Sequence, residues 1–426
     1  MIVFRKLCLG VAALALLALI AGLFTGNAAL WQPSAVALSV GLAIGLGAVP
    51  SLKGYQYTAW IIVAVVAAMI YPGSFKQWGS INLRDPWLLL IVIQFVMFGM
   101  GTQMSLHDFS GVMKTPKGVI VGLVCHFTVM PLVGFGLTKI FSFPAEIAAG
   151  IILIGSCSSG LASNVMAYIA RANLGLSVTV TAITTLVAPL LTPLLMKFLA
   201  GALVPVSVFK MMMDIIEHVI VPIGAALLHD YLKHAPAAAR PNVYLLAALS
   251  SVWLVFIACG GWQMLGTMLD PTVLKGVAIL GFFLAAVVAG VAYHFLVAGV
   301  PRVEKIMPFL SMAGIVYFTT VTTAAGRDNL MKVGILLFFA AVIHNAAGYF
   351  FGYWLSRMAG LDRSSSRSVA FEVGLQNGGM ASGLANSMGK LGTVGLAPAI
   401  FSPWMNISGS ILANYWSRRP VDDKND

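Results

Sequence analysis

The sequence predicts an all-α polytopic membrane protein of about fourteen spans, folded as an inverted-repeat transporter, and three observations predict it. First, 59% of the 426 residues are hydrophobic and only 9% are charged, too little polar surface for a water-soluble globule. Second, the apolar residues fall in runs long enough to cross about 30 Å of hydrocarbon, with most basic residues in the short connections. Third, two runs are interrupted by glycine and by polar side chains that lipid would exclude, and the two run in opposite directions. Interrupted spans in matching places of two halves point to an inverted repeat with its site at mid-membrane.

Taken in order, the runs cover residues 7–24, 34–50, 55–73, 87–106, 117–140, 146–170, 175–201 and 208–230. They continue over 243–267, 273–299, 307–326, 331–356, 368–390 and 393–416. The first follows Arg5-Lys6 and runs into Thr25-Gly26-Asn27-Ala28-Ala29, so it reads either as a cleaved signal peptide or as an uncleaved first span. An even number of spans puts both termini on one side. If that side is cytoplasmic, it holds Arg5, Lys6, Lys53, Lys114, Lys117, Arg171, Lys233, Arg240, Arg302, Lys305, Arg357, Arg363, Arg367, Arg418, Arg419 and Lys424, sixteen of the 25 basic residues. That majority favours both termini inside, in a protein integral to a bacterial inner (plasma) membrane. The same distribution explains the net charge of +11 without nucleic acid. Cys8, Cys125, Cys157 and Cys259 lie in apolar runs without metal-ligand spacing, and they read as buried thiols.

One interrupted span contains FEVGLQNGGMASGLANS, Phe371 to Ser387. A carboxylate at mid-bilayer costs at least a few kcal/mol, so Glu372 must line something polar. Glu372, Gln376 and Asn377 fall about one helical turn apart, and Gly378-Gly379 follows where the helix should loosen and free its backbone groups. The other is GSCSSGLASNVMAYIARANLG, Gly155 to Gly175, in which small and hydroxyl residues lead into Ser163-Asn164. Close helix packing alone would explain the small residues, but not Glu372, Gln376, Asn164 and Asn377.

Asp214, Glu217 and His218 share another span, and read either as a proton relay or as an interfacial cluster. His344-Asn345 reads as an interhelical hydrogen-bonding pair. Trp253, Trp262, Tyr349, Trp354, Trp404 and Trp416 suit core packing or interfacial belts. No HExxH metal motif and no paired aspartates occur in the spans, so an intramembrane enzyme is not expected.

Several stretches resemble, in order and spacing, the bile acid:sodium symporter family, whose members move organic anions with sodium. They are HFTVMP (126–131), FPAEIAAGIILIG (143–155), ASNVMAYIARANLGLSVTVTAITTLVAPLLTP (162–193), FEVGLQNGGMAS (371–382) and FSPWMNISGSILANYW (401–416). Similar sequence runs from about Tyr55 to Tyr231 and from about Met307 to Trp416. The resemblance implies a ten-helix body in which a panel domain faces a core domain containing two crossed, discontinuous helices. It implies one sodium at Ser163, Asn164, Ser177, Thr181 and Glu372, and a second at Glu372, the backbone oxygens of Val373 and Leu375, and Gln376. Sodium is a hard cation, and such oxygens suit it. His126 stands where the family has a glutamine ligand to the second ion, which leaves that site weakened, rebuilt or proton-coupled. Ser158-Ser159-Gly160-Leu161 also departs from the family's Pro-Gly-Gly start.

The implied function is sodium-coupled symport of an organic anion, whether bile-acid-like, a keto or hydroxy acid, or a sulfonate. Ser158, Ser159, Gly160, Asn377, Gly378 and Asn406 are the substrate-contact candidates, with backbone N–H groups freed at the breaks meeting the anion. A proton-coupled organic anion transporter or a cation/proton antiporter is the alternative. No organic cofactor is expected, the partners are the anion and the bilayer, and homo-oligomerisation is left open. The expected organisation is 1–54 extra N-terminal spans (or signal peptide plus span), 55–231 the first repeat and start of the second, 232–306 an inserted helical pair, 307–416 the remainder, and 417–426 a cytoplasmic tail. The extra spans read as peripheral packing, dimerisation or lipid-facing elements; Gln263 and His294 suggest nothing sharper.

Overall fold

The computed structural model describes residues 2–49, 52, 55–419 and 421. Lys53, Lys424, the boundary at residue 54 and most of the expected tail lie outside the described residues. The helices are α1 (Ile2–Phe24), α2 (Ala28–Gly45), α3 (Gln56–Ile70), α4 (Pro86–Gly101), α5 (Leu106–Phe109), α6 (Gly111–Lys114), α7 (Pro116–Ile140), α8 (Ala145–Ser156), α9 (Ala162–Ile169) and α10 (Leu174–Ala200). After them come α11 (Val208–Ile215), α12 (Val221–His234), α13 (Arg240–Phe256), α14 (Trp262–Met268), α15 (Pro271–Gly299), α16 (Arg302–Ala325), α17 (Arg327–Met358), α18 (Arg363–Gly374), α19 (Gly378–Ser387) and α20 (Leu396–Ser417). Single π-helical turns, Ile216–Ile220 and Ile257–Gly261, join α11 to α12 and α13 to α14.

Among the described residues nine helices are long and apolar enough to cross a membrane, and α4 with the bent α5–α6 segment makes ten. Short α3, the broken pairs α8–α9 and α18–α19, and α20 occupy the places of the four remaining apolar runs. These match the apolar runs in place and order. The short helices and breaks are where polar residues interrupt the apolar periodicity.

The packing sorts the helices into two groups. Helices α3, α4, α12 and α16 form the panel, with α16 against α3 and α4, and α12 against α4. Helices α7, α8–α9, α10, α17, α18–α19 and α20 form the core. α8 is apolar on all sides and buried from Ile147 to Ser156, as a central helix must be. α17 approaches α18 at Gly348 and Gly352, where an added Cβ would come within 2.8 Å of the Gly374 Cα and 3.0 Å of the Ala370 Cα. Side chains there would push away the helix that carries Glu372. Helices α1 and α2 pack on each other and reach the body through α3, and α15 packs on α12 and carries α13 and α14. The thiols at Cys125 and Cys157 are buried, but Cys8 is half-buried and Cys259 exposed, because each lies on a peripheral span of which little is buried.

Candidate functional site

The two broken spans meet at their breaks. Ser159 and Gln376 pair as an isolated antiparallel β-bridge, with Gly160 N–H donating to the Leu375 carbonyl at 2.8 Å and Asn377 N–H donating to the Ser158 carbonyl at 2.8 Å. Backbone released from helix inside a membrane must find partners within the protein, and each break supplies them to the other. The remaining carbonyls are met by side chains from neighbouring helices. Thr192 donates to Ser156 O at 2.7 Å and Asn345 to Gly374 O at 2.7 Å, while Gln376 Nε2 donates to Val373 O at 2.6 Å. His126 lies between the arms, with Nδ1 2.9 Å from the Glu372 carbonyl oxygen and Nε2 2.8 Å from that of Cys157. The His344-Asn345 pair does bond between helices, His344 Nε2 lying 3.0 Å from Met130 O.

Glu372, the last acid before the second break, is fully buried. Its Oε1 accepts from Ser177 Oγ at 2.5 Å and its Oε2 from Thr181 Oγ1 at 2.8 Å. Those hydroxyls also lie 3.0 Å and 3.2 Å from Asn164 Oδ1. Ser163 Oγ is 3.3 Å from Thr181 Oγ1 and donates to Gly160 O at 2.8 Å. A hydroxyl has one proton to give, so Ser177 and Thr181 cannot satisfy the carboxylate and the amide oxygen together. The cluster therefore holds more acceptor oxygens than hydroxyl protons, with Asn164 half-buried at its edge and Glu372, Ser163, Ser177 and Thr181 buried. That donor set suits a hard monovalent cation, and Glu372 supplies the only full negative charge in it.

The second group of residues is arranged differently. Val373 O and Leu375 O already accept hydrogen bonds, and both ring nitrogens of His126 face backbone carbonyls. Gln376 Oε1 is buried without a hydrogen-bond partner among the described residues, so it is the oxygen there with capacity to meet a cation.

In front of the bridge lies a cavity of about 320 Å³. Core residues Gly160, Gln376, Asn377, Gly378, Ser402 and Asn406 form one wall. The panel contributes Tyr57, Thr58, Gln103 and Ser311 opposite, and among the described residues no Lys, Arg, Asp or Glu lines the space. Four of the six expected substrate contacts, Gly160, Asn377, Gly378 and Asn406, thus face it. Ser158 and Ser159 do not: both are fully buried, Ser158 Oγ against Met380 Sδ at 3.6 Å and Ser159 Oγ within 3.3 Å of Ser163 Oγ and Leu375 O. Several of the N–H groups expected to be free at the breaks are engaged. Ser159 donates to Thr184 Oγ1, Gly378 to Gln376 O and Met380 to the side chain of its N-cap, Asn377. Among the described side chains at the breaks, Asn377 Nδ2 is a buried donor without a partner, and Asn377 lies on the cavity wall. The panel residues were missed because an isolated Thr58, Gln103 or Ser311 in an apolar run gives no pattern.

The cavity lies on the side of the crossing from which α3 starts. On the other side panel and core are packed shut. A Cβ at Gly379, on the floor of the cavity, would come within 2.8 Å of Met97, and one at Gly383, further along α19, within 2.9 Å of Ile93. Beyond them Ser387 Oγ, at the end of α19, lies 3.2 Å from His218 Nδ1 in the π-helical turn. Asp214 and Glu217 lie on the same span, and the described contact of the trio with the core is made by His218.

Residues 90–264 match the Sodium Bile acid symporter family. The chain is 32% identical over 367 residues to the uncharacterized sodium-dependent transporter YocS of Bacillus subtilis (strain 168), covering 86% of this chain and 92% of that protein. It is 29% identical to a protein of Oryza sativa subsp. japonica named "Probable sodium/metabolite cotransporter BASS1, chloroplastic", over 91% of this chain and 76% of the other. A solved sodium proton antiporter of Methanocaldococcus jannaschii aligns over 89% of this chain and 99% of its own with a TM-score of 0.48 and 14% identity, too distant a likeness to bear on function.

Proposed function

The chain belongs to the sodium bile acid symporter family, and from that premise we propose that it couples sodium to the uptake of a compact organic anion by alternating access, with both termini cytoplasmic. The observation that carries this reading is Glu372, fully buried on one arm of the crossing and held by Ser177 and Thr181 beside Asn164 of the other arm. Sodium at Ser163, Asn164, Ser177, Thr181 and Glu372 would supply the charge that this acceptor-rich cluster lacks. A second ion, where it binds, would use Gln376 Oε1 with Glu372 and the carbonyls of Val373 and Leu375, beside His126.

The cavity supports the anion reading through its neutral polar walls. An anion there meets Asn377, Asn406 and hydroxyls, and its charge is balanced by sodium lodged behind the bridge. Without sodium, Glu372 would repel it, so neither binds well alone and the two move together. A volume of about 320 Å³ is near the lower end for small-molecule sites, roughly 300–1,000 Å³, and favours a short hydroxy acid, keto acid or sulfonate over a steroid. With one side packed shut and a cavity on the other, a rocking of core against panel would expose the site alternately.

The test is uptake of labelled organic anions into proteoliposomes with pH clamped and a sodium gradient imposed. Accumulation should follow the sodium gradient. Accumulation that follows a proton gradient and ignores sodium would sink the symport reading in favour of proton coupling.

A further inference from the structure

The inserted helix α15 makes a second cavity that has no part in the crossing. It measures about 430 Å³ and is bounded by one face of α11 with the π-helical turn, and one face of α15. On α11 the lining residues are Phe209, Lys210, Met213 and then Glu217; on α15 they begin with Lys275 and end with Phe282. Each set repeats at three- and four-residue intervals, so each is a single helical stripe facing the groove. Both helices start from the same side of the membrane, and both lysines fall in the first two turns. Two ammonium groups therefore stand at the same end of the groove, with apolar walls below them. Phe209, Lys210 and Lys275 are exposed, so the mouth opens at the protein's surface.

We propose that this groove binds one anionic phospholipid of the adjoining leaflet, with its phosphate at Lys210 and Lys275 and its acyl chain along Met213, Ile279 and Phe282. Charge complementarity selects the occupant. The groove is cationic only at its mouth, because Glu217 lies seven residues below Lys210, about 10 Å along the helix axis. A ligand must be anionic at one end and apolar along the rest, which fits a lipid and excludes a small polyanion. Asp214, four residues along the same helix, interacts electrostatically with Lys210, and a headgroup phosphate would meet both ammonium groups from the mouth of the groove. The bound lipid would bridge the inserted pair to the panel span that touches the core through His218 and Ser387.

The full-length protein would be studied by native mass spectrometry and thermal unfolding, with phosphatidylglycerol and phosphatidylcholine of identical chains, and separately with inorganic phosphate in detergent. Phosphatidylglycerol should be retained and should raise the unfolding midpoint beyond phosphatidylcholine, and phosphate alone should not reproduce the shift. Lys210→Gln with Lys275→Gln should weaken phosphatidylglycerol binding roughly 10–30-fold and leave phosphatidylcholine unaffected. Glu217→Gln, with both lysines present, should tighten it. Equal retention of the two lipids by the unmutated protein, an undiminished preference in the double variant, or a full effect from phosphate would each overturn the proposal.

Discussion

The two arms of the crossing are alike in outline and opposite in chemistry. Each is a helix that stops, pairs three extended residues with its counterpart and resumes as a shorter helix of 8 or 10 residues. The first arm enters through apolar α8 and brings neutral oxygen, with Ser159, Ser163 and Asn164 near its break. The second enters through α18, rich in serine and arginine, and brings Glu372. Neither arm is a cation site alone: one has oxygens without charge, the other a charge with too few oxygens. On the proposed reading a cation would join the arms where they cross, with Ser177 and Thr181 of α10 completing the cluster, so its binding and the order of the crossing would be one equilibrium.

The harshest way to break that comparison is to neutralise the charged arm. Glu372→Gln keeps the shape and hydrogen-bonding capacity of the side chain but removes the only full negative charge in the cluster. Losing one partner of a buried charge pair costs about 3–5 kcal/mol, so sodium should bind at least roughly 100-fold more weakly. Sodium-stimulated anion binding should vanish while the protein stays folded in the membrane, and sodium dependence equal to the parent's would refute the assignment.

A second break acts on the bridge. At Gly160 a Cβ would lie 2.8 Å from the Gln376 carbonyl oxygen, a backbone atom that cannot swing away. Gly160→Ala should lower stability by about 1–3 kcal/mol, the range for overpacking, and weaken sodium binding with it. At Gly378 the clash is with Ser402 Oγ, a side-chain atom. Gly378→Ala should therefore be milder and be relieved by Ser402→Ala, whereas Gly160→Ala should not be. Thermal unfolding of the three variants, with and without sodium, separates these outcomes.

The neutral arm should tolerate more. Asn164→Ala removes one oxygen from several and leaves the charge in place, so sodium affinity should fall about tenfold, in keeping with about 1.4 kcal/mol. A loss as large as that of Glu372→Gln, measured by sodium titration of thermal stability, would mean that the arms do not divide the work as described.

The contrast also explains what was legible in the sequence. Glu372 and the run from Gln376 to Gly379 stand out because lipid admits no such residues, and the spans stand out by length and apolarity. Hydrogen bonds between the arms leave no local mark. Nothing in Ser158-Ser159-Gly160 tells that these residues zip onto Gln376 and Asn377, or that the Ser158 and Ser159 hydroxyls turn away from the cavity. Thr58, Gln103 and Ser311 were equally silent, since each is one polar residue in an apolar stretch and acquires meaning only from the wall it faces.

The finest test concerns the imidazole that faces backbone carbonyls of both arms. His126 places its ring nitrogens against the carbonyls of Glu372 and Cys157, and beside it Gln376 Oε1 is buried without a partner. A glutamine at 126 would add an oxygen ligand there and release one of the two carbonyls. His126→Gln should therefore steepen the sodium dependence of anion binding, moving the Hill coefficient from about 1 toward about 2, the limit for two sites. The change in overall affinity should be smaller than for any variant above, because the charged cluster around Glu372 is left intact. An unchanged steepness together with a lower unfolding temperature would instead make His126 a strut between the arms and leave a single ion to bind them.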